Sequence, residues 1–210
     1  MTNCWALVAG AAAPNNATFG PPSGQLNAND SRMQQVSYAN GKVWSALDTA
    51  VNVGGQDRAG VAYYVINPNS RKLMLQGQVG IANTDLTYPA IGVTTSGRGV
   101  MTFTLTGDND YPSAALAGID ANIGMGNVQV AASGPGPWDG FTSYVVFGSG
   151  RPRWGDHGAA AVDGSDIWVA SEHTAQTCTY EQYLVVPRAQ CGGTRGALGN
   201  WSTHITKVTP

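Results

Sequence analysis

Short apolar runs alternate with breaks centred on Gly, Asn and Asp along most of this chain, and the alternation repeats. Three stretches follow one plan: Ser31–Leu47 (SRMQQVSYANGKVWSAL), Asp85–Leu105 (DLTYPAIGVTTSGRGVMTFTL) and Arg153–Glu172 (RWGDHGAAAVDGSDIWVASE). Each has a polar opening, a run of small and apolar residues, a Gly-centred turn and a second apolar run. Tyr38, Val93 and Val162 precede the turns, and the second runs begin at Val43-Trp44, Val100-Met101 and Ile167-Trp168. Trp44, Met101 and Trp168 then occupy equivalent places, as packing residues between units. Recurrence at a period of roughly 50 to 70 residues is the mark of radially arranged β-sheet blades.

The pattern resolves into four predicted strands per unit. The first unit offers Met33–Tyr38, Lys42–Thr49, Gly60–Ile66 and Leu73–Gly80, and the second Ala90–Thr94, Gly99–Thr106, Ser113–Ile119 and Asn127–Ala132. The third offers Ala159–Val162, Asp166–Ser171, Gln182–Val186 and Trp201–Val208. Turn pairs such as Asn40-Gly41, Ser96-Gly97 and Asp163-Gly164 separate them, as hairpins require. The expected fold is all-β: a β-propeller portion of about three four-stranded blades over 29–82, 83–150 and 151–210. Residues 1–28 read as the end of a preceding blade plus a linker. A β-sandwich is the alternative.

Composition narrows the function classes. Charged residues make up 11% of the chain, against about 25% in ordinary domains, and Gly supplies 28 of 210 positions. Ala-rich pieces are short and interrupted by Gly or Pro, so helices have little support. The net charge is −2 with no basic stripe, which argues against nucleic acid as a partner. No apolar run approaches the ~18 residues of a membrane span. The N-terminus lacks the basic flank of a signal peptide.

Cys178 and Cys191 bracket the loop TYEQYLVVPRAQ. A disulfide there would pin a long loop and contribute on the order of 3 kcal/mol through loop-closure entropy; two free thiols are the other reading. Cys4 is left over, which suggests a partner elsewhere.

The phrases NDSRMQQVSYANGKVWSALDTAV, GPGPWDGFTSYVVF, RPRWGDHGAAAVDGSDIWVASE and CGGTRGALGNWSTHITKV give Asn29–Val208 a resemblance. They look like the C-terminal half of a family of bacterial secreted β-propeller proteins, related in fold to sialidases and Asp-box proteins and mostly without assigned activity. RWGD…IW…SE and the closing NW-x-T-x-I carry the likeness. His157 stands where members often have Tyr, and His204 where they often have Arg. An Asp-box is partly kept in Val162–Trp168. The resemblance implies a secreted, extracellular protein whose full members are longer chains.

Propeller ligands usually sit at the channel mouth, on loops leading into the inner strands. Those loops carry Arg32, Asp85, Tyr88, Arg153, Asp156 and His157, the expected ligand-binding set. Arg32 and Arg153 suit an anion; Asp85 and Asp156 suit sugar hydroxyls or a cation. A sialidase-like reaction needs a Tyr nucleophile, a Glu to polarise it and an acid Asp, and Tyr88, Glu172 and Asp156 are the set to nominate. The same residues also fit structural roles, with Arg153 and Asp156 locking neighbouring blades around Trp154 and Glu172 anchoring one blade to the next.

No metal-ligand spacing links His157, His173 and His204, and Asp108-Asn109-Asp110 reads as a turn. Neither metal nor other cofactor is expected. The functional expectation is a binding or scaffold module, recognising a glycan or a protein surface through those loops without chemistry of its own. A glycoside hydrolase active only in a complete propeller is the alternative. Three blades do not close a ring, so the remaining blades of a longer parent chain, or a second copy, are expected as partners.

Overall fold

Turn chemistry decides where this chain reverses. Asn40 and Gly41 both take positive φ (50° and 67°), as do Gly54 and Gly55 (62° and 87°). Consecutive left-handed residues are the two-residue turn whose twist matches a hairpin. The computed structural model describes residues 8–9, 26–28, 30–136, 138, 154, 157–176, 178–185, 190–191 and 200–210. Arg153, Asp156 and Cys4 lie outside the described residues. Those described form antiparallel sheets, none closed on itself.

A two-stranded pair joins β1 (Val8–Ala9) and β2 (Leu26–Asn27). The first large sheet is a meander of β3 (Val36–Ala39), β4 (Lys42–Val53), β5 (Gln56–Asn67) and β6 (Lys72–Val79). In the second, β7 (Thr84–Val93), β8 (Arg98–Gly107) and β9 (Ser113–Asp120) run in order. β10 (Gly124–Met125) and β11 (Gln129–Ala132) both pair with β9. The third sheet orders β12 (Ala159–Asp163), β13 (Asp166–Thr174) and β14 (Trp201–Val208).

One expected strand is a helix instead. Within Gln182–Val186, residues Gln182–Leu184 belong to α1 (Tyr180–Leu184). Thr179 caps it reciprocally: its hydroxyl accepts the Gln182 N–H at 3.1 Å, and Gln182 Oε1 accepts the Thr179 N–H at 2.8 Å. A Thr-x-x-Gln capping box satisfies two helix-start donors at once, and this local signal outweighs the β-propensity of Tyr-Leu-Val. β14 therefore pairs directly with β13, from Ile167↔Val208 to Thr174↔Trp201.

The second sheet lies between the other two. One of its faces, with Leu86, Ile91, Met101 and Phe103, shares a core with Trp44, Ala46, Val61, Tyr63 and Val65 of the first sheet. Its other face carries Val100, which packs with Ile167 and Val169 of the third sheet. Every residue of β7 is buried as a result. Removing a Leu- or Phe-sized side chain from water contributes about 1.5–3 kcal/mol, so these two contact layers supply the main cohesion.

Strand registers show how the units correspond. Trp44, Val100 and Trp168 are each the third residue of the strand after the first hairpin turn. Their cross-strand partners are Ser37, Gly92 and Ala161, so a larger side chain always lies across from a small one. Trp44 faces the second sheet and Val100 faces the third, the following sheet in each case. Met101, expected as the equivalent of Trp44, sits on the opposite face of its strand and packs in one core with Trp44. The displacement arises because β8 begins at Arg98, one residue before the expected Gly99. Trp168 alternates with Ile167 and Val169, points away from the second sheet and is 42% exposed.

Candidate functional site

Pro89 shapes the region where the candidate residues gather. Proline cannot donate to a ladder, and inside a sheet it is confined to bulges and edges. β7 pairs regularly with β8 through Thr87↔Thr104, slips, and resumes at Ala90↔Thr102. Tyr88, in the bulge, takes φ of 57°, a conformation that costs a non-glycine residue on the order of 1–3 kcal/mol. Its N–H donates instead to Asp48 Oδ1 of the first sheet, at 2.9 Å. Asp48 is buried. That burial pushes its carboxyl well above the usual carboxylate range, helped by the nearby negative charge of Asp30 and opposed by the Tyr88 hydrogen bond.

The Tyr88 ring is buried in a cluster with Leu26, Ala28, Ala59, Trp138 and Trp154. Trp154 packs edge-on against Trp138, centroids 6.5 Å apart. Its indole N–H donates to Thr104 Oγ1 at 3.2 Å. The Thr104 hydroxyl in turn donates to the Glu172 carbonyl at 3.3 Å and lies 3.5 Å from Ser171 Oγ. Hydroxyls thus join the second and third sheets where Val100 and Ile167 join them by packing further along.

Beside this network lies a narrow surface cleft, too tight to admit a water molecule, lined by Tyr88, Thr104, His157, Gly158, Ser171 and Glu172. Three residues singled out in the sequence, Tyr88, His157 and Glu172, therefore meet around one opening. His157 is exposed and Glu172 half-buried. The other described candidates take different positions. Arg32 is exposed and holds Asp30 by a 2.8 Å hydrogen bond from Nε and a 2.6 Å ion pair; the bond from Arg32 keeps the Asp30 carboxyl below its ordinary range. Asp85 is buried, accepts the Ala59 N–H at 2.8 Å, and faces Arg58 at 3.4 Å. Arg58 also pairs with Asp108 at 2.8 Å. Neither Arg32 nor Asp85 lines the cleft.

Asp48, Arg58 and Thr104 were not among the residues nominated from sequence. Asp48 carried a readable signal: in Trp44-Ser45-Ala46-Leu47-Asp48 it continues the face of Trp44 and Ala46, so a carboxylate had to enter the core side of β4. The register of β13 and β14 brings His173 and His204 together edge-to-face, 5.9 Å between centroids. Burial, then His204, lowers the His173 pKa from its ordinary 6.5. Among the described residues no cluster of His, Cys, Asp and Glu is arranged to hold a metal ion. Cys178 and Cys191 form a disulfide, Cα atoms 5.9 Å apart, beside α1. No described helix is long and apolar enough to cross a membrane.

No protein-family model matches this chain, and neither a curated protein nor a solved structure is similar to it.

Proposed function

We propose that this protein is an extracellular binding or scaffold module of β-propeller type, which recognises a glycan or a protein surface at the cleft lined by Tyr88, His157 and Glu172. The convergence of these three residues from two sheets, beside the hydroxyls of Thr104 and Ser171, carries the reading. Acceptors and donors of mixed type around a small opening suit sugar hydroxyls or a peptide group better than an apolar ligand. The propeller assignment draws on the repeated hairpin register and the face-to-face stacking of successive sheets. The extracellular assignment draws on the disulfide, a bond that persists in oxidising compartments.

Binding without catalysis is favoured by the state of Tyr88. A nucleophile needs access to its substrate and a base beside it, whereas this ring is packed among Trp138, Trp154 and apolar neighbours. A second reading, sialidase-like hydrolysis, gains from the meeting of Tyr88 and Glu172 at one cleft. One experiment separates the two: a glycan array with a parallel panel of chromogenic glycosides, sialosides included. Binding without turnover, weakened at least tenfold by Glu172→Gln or His157→Ala, is the expected result. Turnover abolished by Glu172→Gln would replace binding by hydrolysis; an array without a hit and no protein ligand in pull-down would remove both.

A further inference from the structure

Among the described residues the interface between successive large sheets occurs twice, each time at the third residue of the strand after the first hairpin turn. Trp44 across from Ser37 is covered by the second sheet, and Val100 across from Gly92 by the third. Trp168 across from Ala161 is the same position a third time. Trp44 is 0% exposed, Val100 1% and Trp168 42%. Across from Trp168 stands Lys207, its ammonium 5.7 Å from the indole centroid, and diagonally on the same face lies Ile205, 63% exposed. The opposite end of the stack mirrors the situation. Val43 of the first sheet corresponds to Ile167 of the third, one residue before Trp44 and Trp168 respectively, and Ile167 is fully buried against the second sheet. Across from Val43 stands Tyr38, 68% exposed, and two residues before it Val36, 58% exposed.

We infer that these two end faces are the halves of one further sheet-on-sheet interface, and that a second copy of the chain supplies the missing half to each. The chain carries both halves, one at each end, so one kind of partner suffices. The contact is head-to-tail, the Trp168 face of one copy against the Tyr38 face of the other, and two such contacts close a pair with six sheets. The size fits. A three-stranded face about 14 Å wide and 26 Å long covers roughly 350 Å², and four faces give about 1,400 Å², within the ~1,200–2,000 Å² of stable interfaces. Large exposed apolar faces are uncommon on lone monomers. The inference stands apart from the cleft and holds whether or not the cleft binds a ligand.

Light scattering coupled to size exclusion on the full chain tests it, using Trp168→Lys and Tyr38→Lys. The wild type should elute at twice the chain mass and each variant at the chain mass. A double variant carrying Trp168→Lys and Tyr38→Glu should regain the doubled mass, because each of its two contacts then opposes a lysine to a glutamate. Ile205→Lys and Val36→Lys form a second pair should circular dichroism show either first variant unfolded. A monomeric wild type at high concentration overturns the inference, and binding of a polysaccharide or another protein to the Trp168 face of that monomer would name a different occupant. A Tyr38→Lys protein that stays dimeric overturns the head-to-tail geometry, and open-ended assemblies overturn closure as a pair.

Discussion

Asp48 is a carboxylate on the core side of a strand, placed where Pro89 and the bulge leave the Tyr88 N–H without a ladder partner. Its elevated pKa means the folded protein holds a proton there more tightly than the unfolded chain does. The stability tied to that proton is complete below the unfolded value near 3.8 and is lost as pH rises through the elevated folded value. Asp48→Asn keeps an acceptor for the Tyr88 N–H and has no charge to bury. Chemical denaturation should therefore find it more stable than wild type at pH 7, with a flatter profile above pH 4. Asp48→Ala leaves that N–H stranded and should be about 1–3 kcal/mol less stable than Asp48→Asn at any pH. Equal loss in both variants would show that the charge, not the hydrogen bond, holds the bulge. His173 acts in the opposite sense: its lowered pKa gives stability that is complete above about 6.5 and declines as pH falls.

At the scale of strands and turns, most of the architecture was readable and the exceptions have local causes. β4, β8, β13 and β14 begin within a residue of their expected starts, because two-residue periodicity and Asn-Gly or Asp-Gly turns are local signals. The helix at Tyr180–Leu184 departs from expectation because its capping box competes with β-branched composition, and Met101 falls on the opposite face because β8 starts one residue early, at Arg98. The cleft was half legible. Tyr88, His157 and Glu172 are legible and the alternation of β4 turns Asp48 inward, but the Tyr88 N–H that Asp48 accepts and the bond of Thr104 to Glu172 come from neighbouring sheets that no local pattern reveals.

At Gly92 the second sheet meets the third with no side chain of its own. A Cβ there would lie 2.8 Å from Ile167 Cγ2 and 3.2 Å from Ala160 Cβ. Gly92→Ala should push the third sheet outward and destabilise the protein by about 1–3 kcal/mol, measured as a lower denaturant midpoint. Pairing it with Ile167→Val should recover part of the loss. No change in midpoint for Gly92→Ala would mean that the sheets slide apart without penalty.

Over the whole molecule, protection should follow position in the stack. Local opening is cheapest where few apolar contacts are broken, so native-state hydrogen exchange should be slowest in β8, around Met101 and Phe103, and faster in β6 and β14. Equal protection in β8 and β14 would show that the stack opens only as a unit.

The middle sheet also changes character along its length. On the face toward the third sheet β8 presents Val100 and then Thr102, Thr104 and Thr106, all buried, while its other face keeps Met101, Phe103 and Leu105. Apolar packing weakens on cooling, so cold should loosen this interface first at its Val100 end.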